Sequence, residues 1–285
     1  MSAKSRDAQI VRDRYLATNR RWWDSFVEPH FASPYYGVKR FLNGESSLLP
    51  VEREEIGSVR GRRLLHLMCH FGLDTLSWVR LGARVTGVDF APLAIRRARA
   101  LAREAGLPAT FVRSELGELP RKLRGLFDIV FTSYGVLPWL PDLNRWAGVV
   151  ARYVRPGGFF YLVEDHPVTN VFEWNRRTRQ LELRRSYFGA ASPTKVIPTG
   201  SYAVRSSGPF LPAYEWAHSI SDVLNALRSA GLSIEFIHEF PFMPWRRYPP
   251  LRERQDGYFE LPRQFPPIPL MFSVKASRPL SARPS

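Results

Sequence analysis

Cysteine is all but missing from this chain: Cys69 is the single one in 285 residues, so no internal disulfide can staple the fold. Long apolar runs are missing too. No uninterrupted stretch reaches the roughly 20 residues that a membrane-crossing helix needs. The opening residues, MSAKSRDAQIVRDRYLATNRR, have no apolar centre, so they do not read as a secretory signal, and a cytoplasmic protein is expected. Lysine is scarce, at five (Lys4, Lys39, Lys122, Lys195 and Lys275) within a Lys+Arg total of 41. Acid is scarce as well, and the 26 Asp and Glu leave a formal net charge of +15. Such an excess invites a nucleic-acid partner. The arginines are spread along the chain, however, and the cluster Arg96, Arg97, Arg99 and Arg103 falls on the solvent face of an expected helix. The charge is therefore read as compositional bias rather than a ligand footprint. Neither nucleic acid nor membrane is the expected partner, and no internal repeat is visible.

What is present is enough apolar material, 45% of residues, for one large core or a core plus a small cap. The most informative stretch is RLLHLMCHFGLDTLSWVRLGARVTGVDFAPLAIRRAR, Arg63 to Arg99. It reads as strand, turn, helix, strand and second helix. Asp89 closes the second strand, 17 residues after Gly72 in the first turn. A glycine-bearing turn feeding a helix, followed by an acid at the next strand end, is the plan of a nucleotide-binding half-fold. Helix-start N–H groups meet the polar end of the ligand and the acid takes ribose hydroxyls.

Residues 1–60 read as helical and amphipathic, with Trp22, Trp23, Phe26 and Val27 gathered on one wheel face, PYYG at 34–37 as a turn, and a short helix to Phe41. Over 61–164, strands are expected at 64–69, 83–90, 109–114, 127–133 and 159–165, the last entered through an RPGG turn at 155–158. Helices fall between them, including one over about 142–153. Strict alternation implies a parallel sheet covered on both faces. Residues 167–217 break the rhythm and carry Phe172, Trp174, Tyr187, Phe188, Tyr202, Phe210, Tyr214 and Trp216, so irregular structure with one or two short antiparallel strands is expected. Ser219 followed by Asp222 is a capping signature that opens a helix closed by Gly231. Strands at 232–240 and 269–277 follow, separated by a proline-rich connection, and 278–285 reads as a disordered tail.

The alternating units, the acid after strand two, the RPGG turn and the closing strand pair together resemble the class I S-adenosylmethionine-dependent methyltransferases. LHLMCHFG at 65–72 and TSYGVLPWLPDL at 132–143 are similar to a bacterial branch whose first motif reads LHLxCHFG. The resemblance implies an α/β, doubly wound, Rossmann-like sheet of seven mostly parallel strands, the last antiparallel. It implies an N-terminal helical lid (1–60), a methyltransferase domain (61–277) and an acceptor-binding cap inserted at 167–217, after strand five. S-adenosyl-L-methionine is the implied cofactor, with Cys69, His70, Gly72, Asp89, Phe90, Glu115, Leu116, Ser133 and Tyr134 around it. By that likeness Gly72 lets the backbone approach the methionine part, Asp89 takes the ribose, and Phe90 flanks the adenine. Glu115 and the Leu116 N–H would meet the adenine edge, and Ser133 and Tyr134 would line the sulfonium end. His66, Met68 and His70 depart from the usual acidic, glycine-rich first motif.

Trp23, Tyr35, Tyr36, Tyr202 and Trp216 are expected to wall an apolar acceptor pocket, an ordinary second core being the alternative. If the acceptor must lose a proton, His166 and then His218 are the candidate bases, with a structural role open for both histidines, and Asp165 and Glu215 are weaker choices for a base or for anchoring an amine. Cys69 itself reads as a small buried hydrophobe, and His66 as a satisfied structural histidine. His30, His218 and His238 match no metal spacing, so no metal is assigned. The reading is methyl transfer to an oxygen or nitrogen of a small apolar, aromatic or acyl molecule. An RNA methyltransferase using the basic surface and a non-catalytic cofactor binder remain as alternatives. Acceptor identity and oligomeric state are not legible.

Overall fold

The computed structural model describes residues 3–190, 192–198, 200–204 and 211–280. Eight helices lie among these residues: α1 Ala3–Ala32, α2 Val38–Leu42, α3 Pro50–Ile56, α4 Leu73–Arg80, α5 Pro92–Glu104, α6 Leu119–Lys122, α7 Leu143–Tyr153 and α8 Ile220–Ser229. The strands are β1 Arg63–Leu67, β2 Arg84–Asp89, β3 Thr110–Arg113, β4 Phe127–Ser133, β5 Val154–Asp165, β6 Phe172–Asn175, β7 Gln180–Leu183, β8 Thr194–Val196, β9 Ala213–Glu215, β10 Ser233–Phe240, β11 Phe242–Met243, β12 Arg252–Glu253, β13 Phe259–Glu260 and β14 Met271–Ser277. Seven of them form one sheet in the order β10-β14-β5-β4-β1-β2-β3. Only β14 is antiparallel to its neighbours, pairing Met271 with Asp165 on one side and with Phe240 on the other. The doubly wound, mostly parallel seven-stranded sheet expected from the sequence is the one observed.

The helices form where local chemistry permits. Pro92 opens α5, and Ala94, Ile95, Ala98, Leu101 and Ala102 put one stripe of it in the core. Asp142 caps α7 by accepting from the Arg145 N–H at 2.9 Å. Ser219 and Asp222 form the reciprocal capping box that starts α8. One face of the sheet (Leu65, Leu67, Val130, Phe160, Leu162, Phe272, Val274) buries Trp146, Val150, Val223 and Leu227 of α7 and α8. The other (Leu64, Val85, Ile129, Phe131, Tyr161, Val163) buries Trp78, Val51 and the 243–271 segment. Each such side chain contributes on the order of 1.5–3 kcal/mol.

Some boundaries differ from those expected. β1 ends at Leu67, because Met68 takes a left-handed backbone (φ 60) that no strand continues. RPGG lies inside β5 rather than before it: β4 pairs Phe127 with Val154 and then Ile129 with Phe159, so the four residues form an excursion within the pairing. The proline-rich connection holds a small sheet, β11-β13-β12, which its two-residue strands made invisible to periodicity. The tail is not free from its first residue, since Arg278 exchanges backbone hydrogen bonds with Gly157 and Gly158; residues 281–285 lie outside those described. In the 167–217 insertion, β6-β7 and β8-β9 are two antiparallel pairs, and Phe210 lies outside the described residues.

Helix α1 presents Asn19, Trp22, Phe26 and His30, all buried, along one face at helical spacing. Asn19 pairs with the β9 backbone through both Tyr214 N–H and C=O (2.8 and 2.7 Å). Asp24 accepts from the Leu93 N–H at 2.6 Å, at the start of α5. The N-terminal helix is thus fastened to the core sheet's helix on one side and to the insertion on the other.

Gly72 precedes α4 with φ 81. A Cβ there would lie 2.8 Å from the Phe111 ring and 3.2 Å from Ala98 Cβ. Glycine is required here by the left-handed backbone and by this packing. Gly72→Ala is expected to cost about 2–4 kcal/mol, combining the left-handed penalty with overpacking; a urea unfolding midpoint unchanged from wild type would refute this.

Candidate active site

The loop between β1 and α4 alternates left-handed residues at Met68, His70 and Gly72 (φ 60, 49 and 81). Two of these are not glycine, and such conformations persist where surrounding bonds enforce them. Asp89 supplies those bonds. Its Oδ2 accepts from the His70 N–H and its Oδ1 from the Ala91 N–H, each at 2.9 Å. It is 8% exposed. Burial pushes its carboxyl up to about 6, against the pull of the backbone N–H groups. Each oxygen keeps a second lone-pair direction for a ligand hydroxyl. The helix-capping and ligand-binding readings of Asp89 are therefore compatible.

A cavity of about 920 Å³ opens at the carboxyl ends of β1, β2, β4 and β5. Its wall includes Cys69, His70, Gly72, Asp89, Phe90, Ser133 and Tyr134. Trp23, Tyr35, Tyr36, Tyr202 and Trp216 line the same cavity, together with His218. Three of the expected site residues stand outside this wall. Glu115 is instead within 3.9 Å of Arg20 Nη1, so α1 crosses that edge. Leu116 packs against the core beneath α7.

His166 is the third. Its Nδ1 accepts from the Val168 N–H at 3.1 Å, which places its proton on Nε2, bonded to Glu239 Oε1 at 2.9 Å. Both nitrogens are engaged and the ring packs edge-on to Phe272. His166 thus stands outside the cavity wall with both ring nitrogens occupied. His218 is placed differently. Its Nε2–H donates to the Leu140 carbonyl at 2.8 Å, leaving Nδ1 with its lone pair. Burial holds its pKa below the ordinary value, so the ring is neutral at pH 7.

Burial keeps His30, His66 and His70 neutral. His66 bonds Thr75 Oγ1 at 2.9 Å and is held down to about 3 by burial. His30 contacts His70 at 3.1 Å and Ser201 at 2.7 Å, with burial lowering it to about 4. Cys69 is buried, and burial pushes its thiol up, away from reactivity. Among the described residues no group of three potential ligands is arranged for a metal ion, and no helix is long and apolar enough to cross a membrane.

The cavity's charge opposes that of the protein. Glu45, Asp74, Asp89, Glu164, Asp165, Glu215 and Glu253 line it against Arg40 and Arg247, whereas the whole chain carries +15. Asp74 and Glu164 were not singled out from sequence. Asp74 accepts from Ser47 Oγ at 2.7 Å and Ser133 Oγ at 3.1 Å, and burial raises it. Glu164, 1% exposed, accepts from the Val136, Leu137 and Asp165 N–H groups at 2.7, 3.0 and 2.7 Å, and from Gly135 N–H at 2.5 Å. Burial pushes its carboxyl up, while four donors with no acceptor among them hold it ionised. An acid inside the apolar run FFYLVED was the available sequence signal. Below the site, Tyr134 donates to buried Glu52 at 2.7 Å, and burial lifts Glu52 to about 8.

Aromatic rings close the other side. Tyr36 and Tyr202 share a short hydroxyl contact. Tyr202 stacks on Trp245 (5.5 Å, 29°), and Trp22 stacks on Trp139 (5.2 Å, 22°), with Trp23 edge-on to both His70 and Trp139. Trp245 and Trp139 were not named from sequence. Together the residues suit a cationic ligand that brings hydroxyl donors to Asp89, with apolar volume beside it for a second molecule.

Residues 64–158 match the family model described as a methyltransferase domain. The chain is similar to a ubiquinone biosynthesis O-methyltransferase of Xanthomonas euvesicatoria pv. vesicatoria, at 27% identity over 251 residues, 87% of this chain and 90% of that protein. It is 28% identical over 226 residues to the protein of the same description from Bordetella avium, spanning 79% of this chain and 80% of the other. Among solved structures, an S-adenosylmethionine-dependent methyltransferase from Mesorhizobium loti superimposes with a TM-score of 0.56 at 22% identity, over 83% of this chain and all of that one. Residues 64–158 match a methyltransferase domain, and the chain has the fold of the class I methyltransferases.

Proposed function

We propose that this protein methylates an oxygen of a small, largely apolar aromatic acceptor, held between the N-terminal helices and the 167–217 insertion. The observation that carries the reading is one acid-lined cavity joining the Asp89 loop to the Tyr36–Tyr202–Trp245 wall. The cofactor supplies an electrophilic methyl group on a sulfonium. Asp89 binds hydroxyls and fixes the first loop, and the carboxylates of the wall favour a cation. The aromatic faces exclude water and orient the acceptor. Oxygen is preferred to nitrogen because the Xanthomonas and Bordetella relatives are described as O-methyltransferases.

His218 Nδ1 takes the hydroxyl proton in this scheme. A base works when deprotonated, so activity falls as pH drops through the His218 pKa, which burial keeps below the usual 6.5. His218→Gln should lower kcat by roughly 10²–10⁴-fold and abolish that acid limb. A variant with an unchanged limb would rule His218 out as the base. Calorimetry with S-adenosylmethionine and S-adenosylhomocysteine, followed by mass spectrometry on a panel of phenols, tests the whole reading. Binding with phenol methylation supports it; transfer only to RNA, or binding without transfer to any phenol, overturns it.

A further inference from the structure

Asp165 ends β5 on the cavity wall, and its surroundings bear on which acceptor fits. Its Oδ1 is buried and has no hydrogen-bond partner among the described residues. Its Oδ2 is 4.0 Å from Arg247 Nη1, beyond hydrogen-bond reach. Arg247 spends its directed donors elsewhere, Nε on the Thr169 carbonyl at 3.3 Å and Nη2 on Asn170 Oδ1 at 2.6 Å. Glu215, at the end of β9, is a second, half-buried carboxyl on the wall, raised by desolvation despite Arg247 and Arg185. Burial and then Glu164 push the Asp165 carboxyl well up against the pull of Arg247, a guanidinium that also acts on Glu215, so this part of the wall has two carboxyls for one cation and a second cation would favour their ionised forms.

The aromatic wall lies within range of the same charge. Burial pushes the hydroxyls of Tyr35 and Tyr202 up, and the Asp165 charge adds to the shift in both. Tyr35 meets Tyr202 edge-on at 5.4 Å, and Tyr202 stacks on Trp245. A buried carboxylate without a donor is costly in a pocket meant for a neutral ring. Ring faces bounding a carboxylate suit an ammonium group, which the π faces attract and the carboxylate pairs.

We propose that the acceptor carries an ammonium group in addition to its reactive hydroxyl, with Asp165 and Glu215 receiving its N–H donors and Tyr35, Tyr202 and Trp245 covering it. The inference rests on reading this cavity as the acceptor pocket of an O-methyltransferase.

Three ring-matched probes test it: tyramine, 4-ethylphenol and 4-hydroxyphenylacetate, which differ in head charge. Their binding to the full chain is measured by calorimetry with S-adenosylhomocysteine saturating, and again without it. Tyramine should bind at least about 10-fold tighter than 4-ethylphenol, with the acid weakest. Asp165→Asn should shrink the tyramine preference to within about threefold, and Glu215→Gln should reduce it in part. Equal binding of amine and acid, failure of all three to bind, or a preference intact in both variants would overturn the proposal. So would an Asp165→Asn effect on S-adenosylhomocysteine rather than on tyramine, since the carboxylate would then serve the cofactor. Failure of the homocysteine adduct to bind with the tyramine preference retained would instead count against the methyltransferase reading alone.

Discussion

Glu164→Ala will destabilise this protein by roughly 3–6 kcal/mol, because four backbone N–H groups lose the carboxylate that accepts from them, at about 1–3 kcal/mol for each donor left unsatisfied. Part of the loss is recovered by water, since Gly135, Val136 and Leu137 border the cavity. Even so, the change is a large share of the ~5–15 kcal/mol that keeps a domain folded. The damage should spread. The anchored residues lead into the 137–139 turn, where Trp139 stacks on Trp22 and the Pro138 carbonyl accepts from the Trp216 N–H at 2.8 Å. Loosening the loop therefore loosens both α1 and the insertion. Glu164→Gln should rescue little, because its amide turns N–H toward N–H. Urea unfolding of the three proteins, with tryptophan fluorescence as the probe, measures the effect. Wild-type stability in Glu164→Ala would mean that water alone satisfies the loop.

Asp89→Ala should weaken S-adenosylhomocysteine binding by at least about 100-fold. Two contributions combine. The ligand loses a carboxylate acceptor, worth about 1.5–3 kcal/mol for a charged hydrogen bond. The His70 and Ala91 N–H groups also lose the anchor that holds the left-handed loop in shape. The pH dependence follows from the raised carboxyl. A ligand hydroxyl donates to the ionised form, so affinity should be full above about 6 and fall as pH is lowered through that value. Titrations from pH 5 to 8 by calorimetry check both points. Affinity unaltered by the substitution would remove Asp89 from the site, and pH-independent binding in the wild type would remove its titration.

The two residues differ in how visible they were. Asp89 could be found because its meaning is local: a strand, a glycine turn and a helix start fix where the end of the second strand must lie. Glu164 could not. It sits among apolar residues like any strand end, and its role exists only because the β4 loop folds over it, some 27–29 residues earlier in the chain. From sequence His166, just after a strand, ranked ahead of His218, just before a helix. Their partners separate them: Val168 and Glu239 occupy both nitrogens of one, whereas Leu140, 78 residues from His218, takes only one nitrogen of the other. Glu115 followed the motif spacing, yet α1 and its Arg20 cover that edge.

The sequence by itself determined the alternation of strands and helices that builds the parallel part of the sheet, and the family resemblance implied its seven strands and antiparallel last one. Hydrophobic period, glycine and proline stops and capping residues act over a few positions, and a parallel alternating pattern leaves few topologies open. It also marked which aromatics would gather, since Trp23, Tyr35, Tyr36, Tyr202 and Trp216 all reach one cavity. Only the tertiary structure decided which carboxylates are satisfied and which are left to a ligand. That distinction depends on where backbone N–H groups and guanidinium donors point after packing: Glu164 is filled by a loop, whereas Asp165, the next residue, keeps a buried oxygen without a hydrogen-bond partner among the described residues.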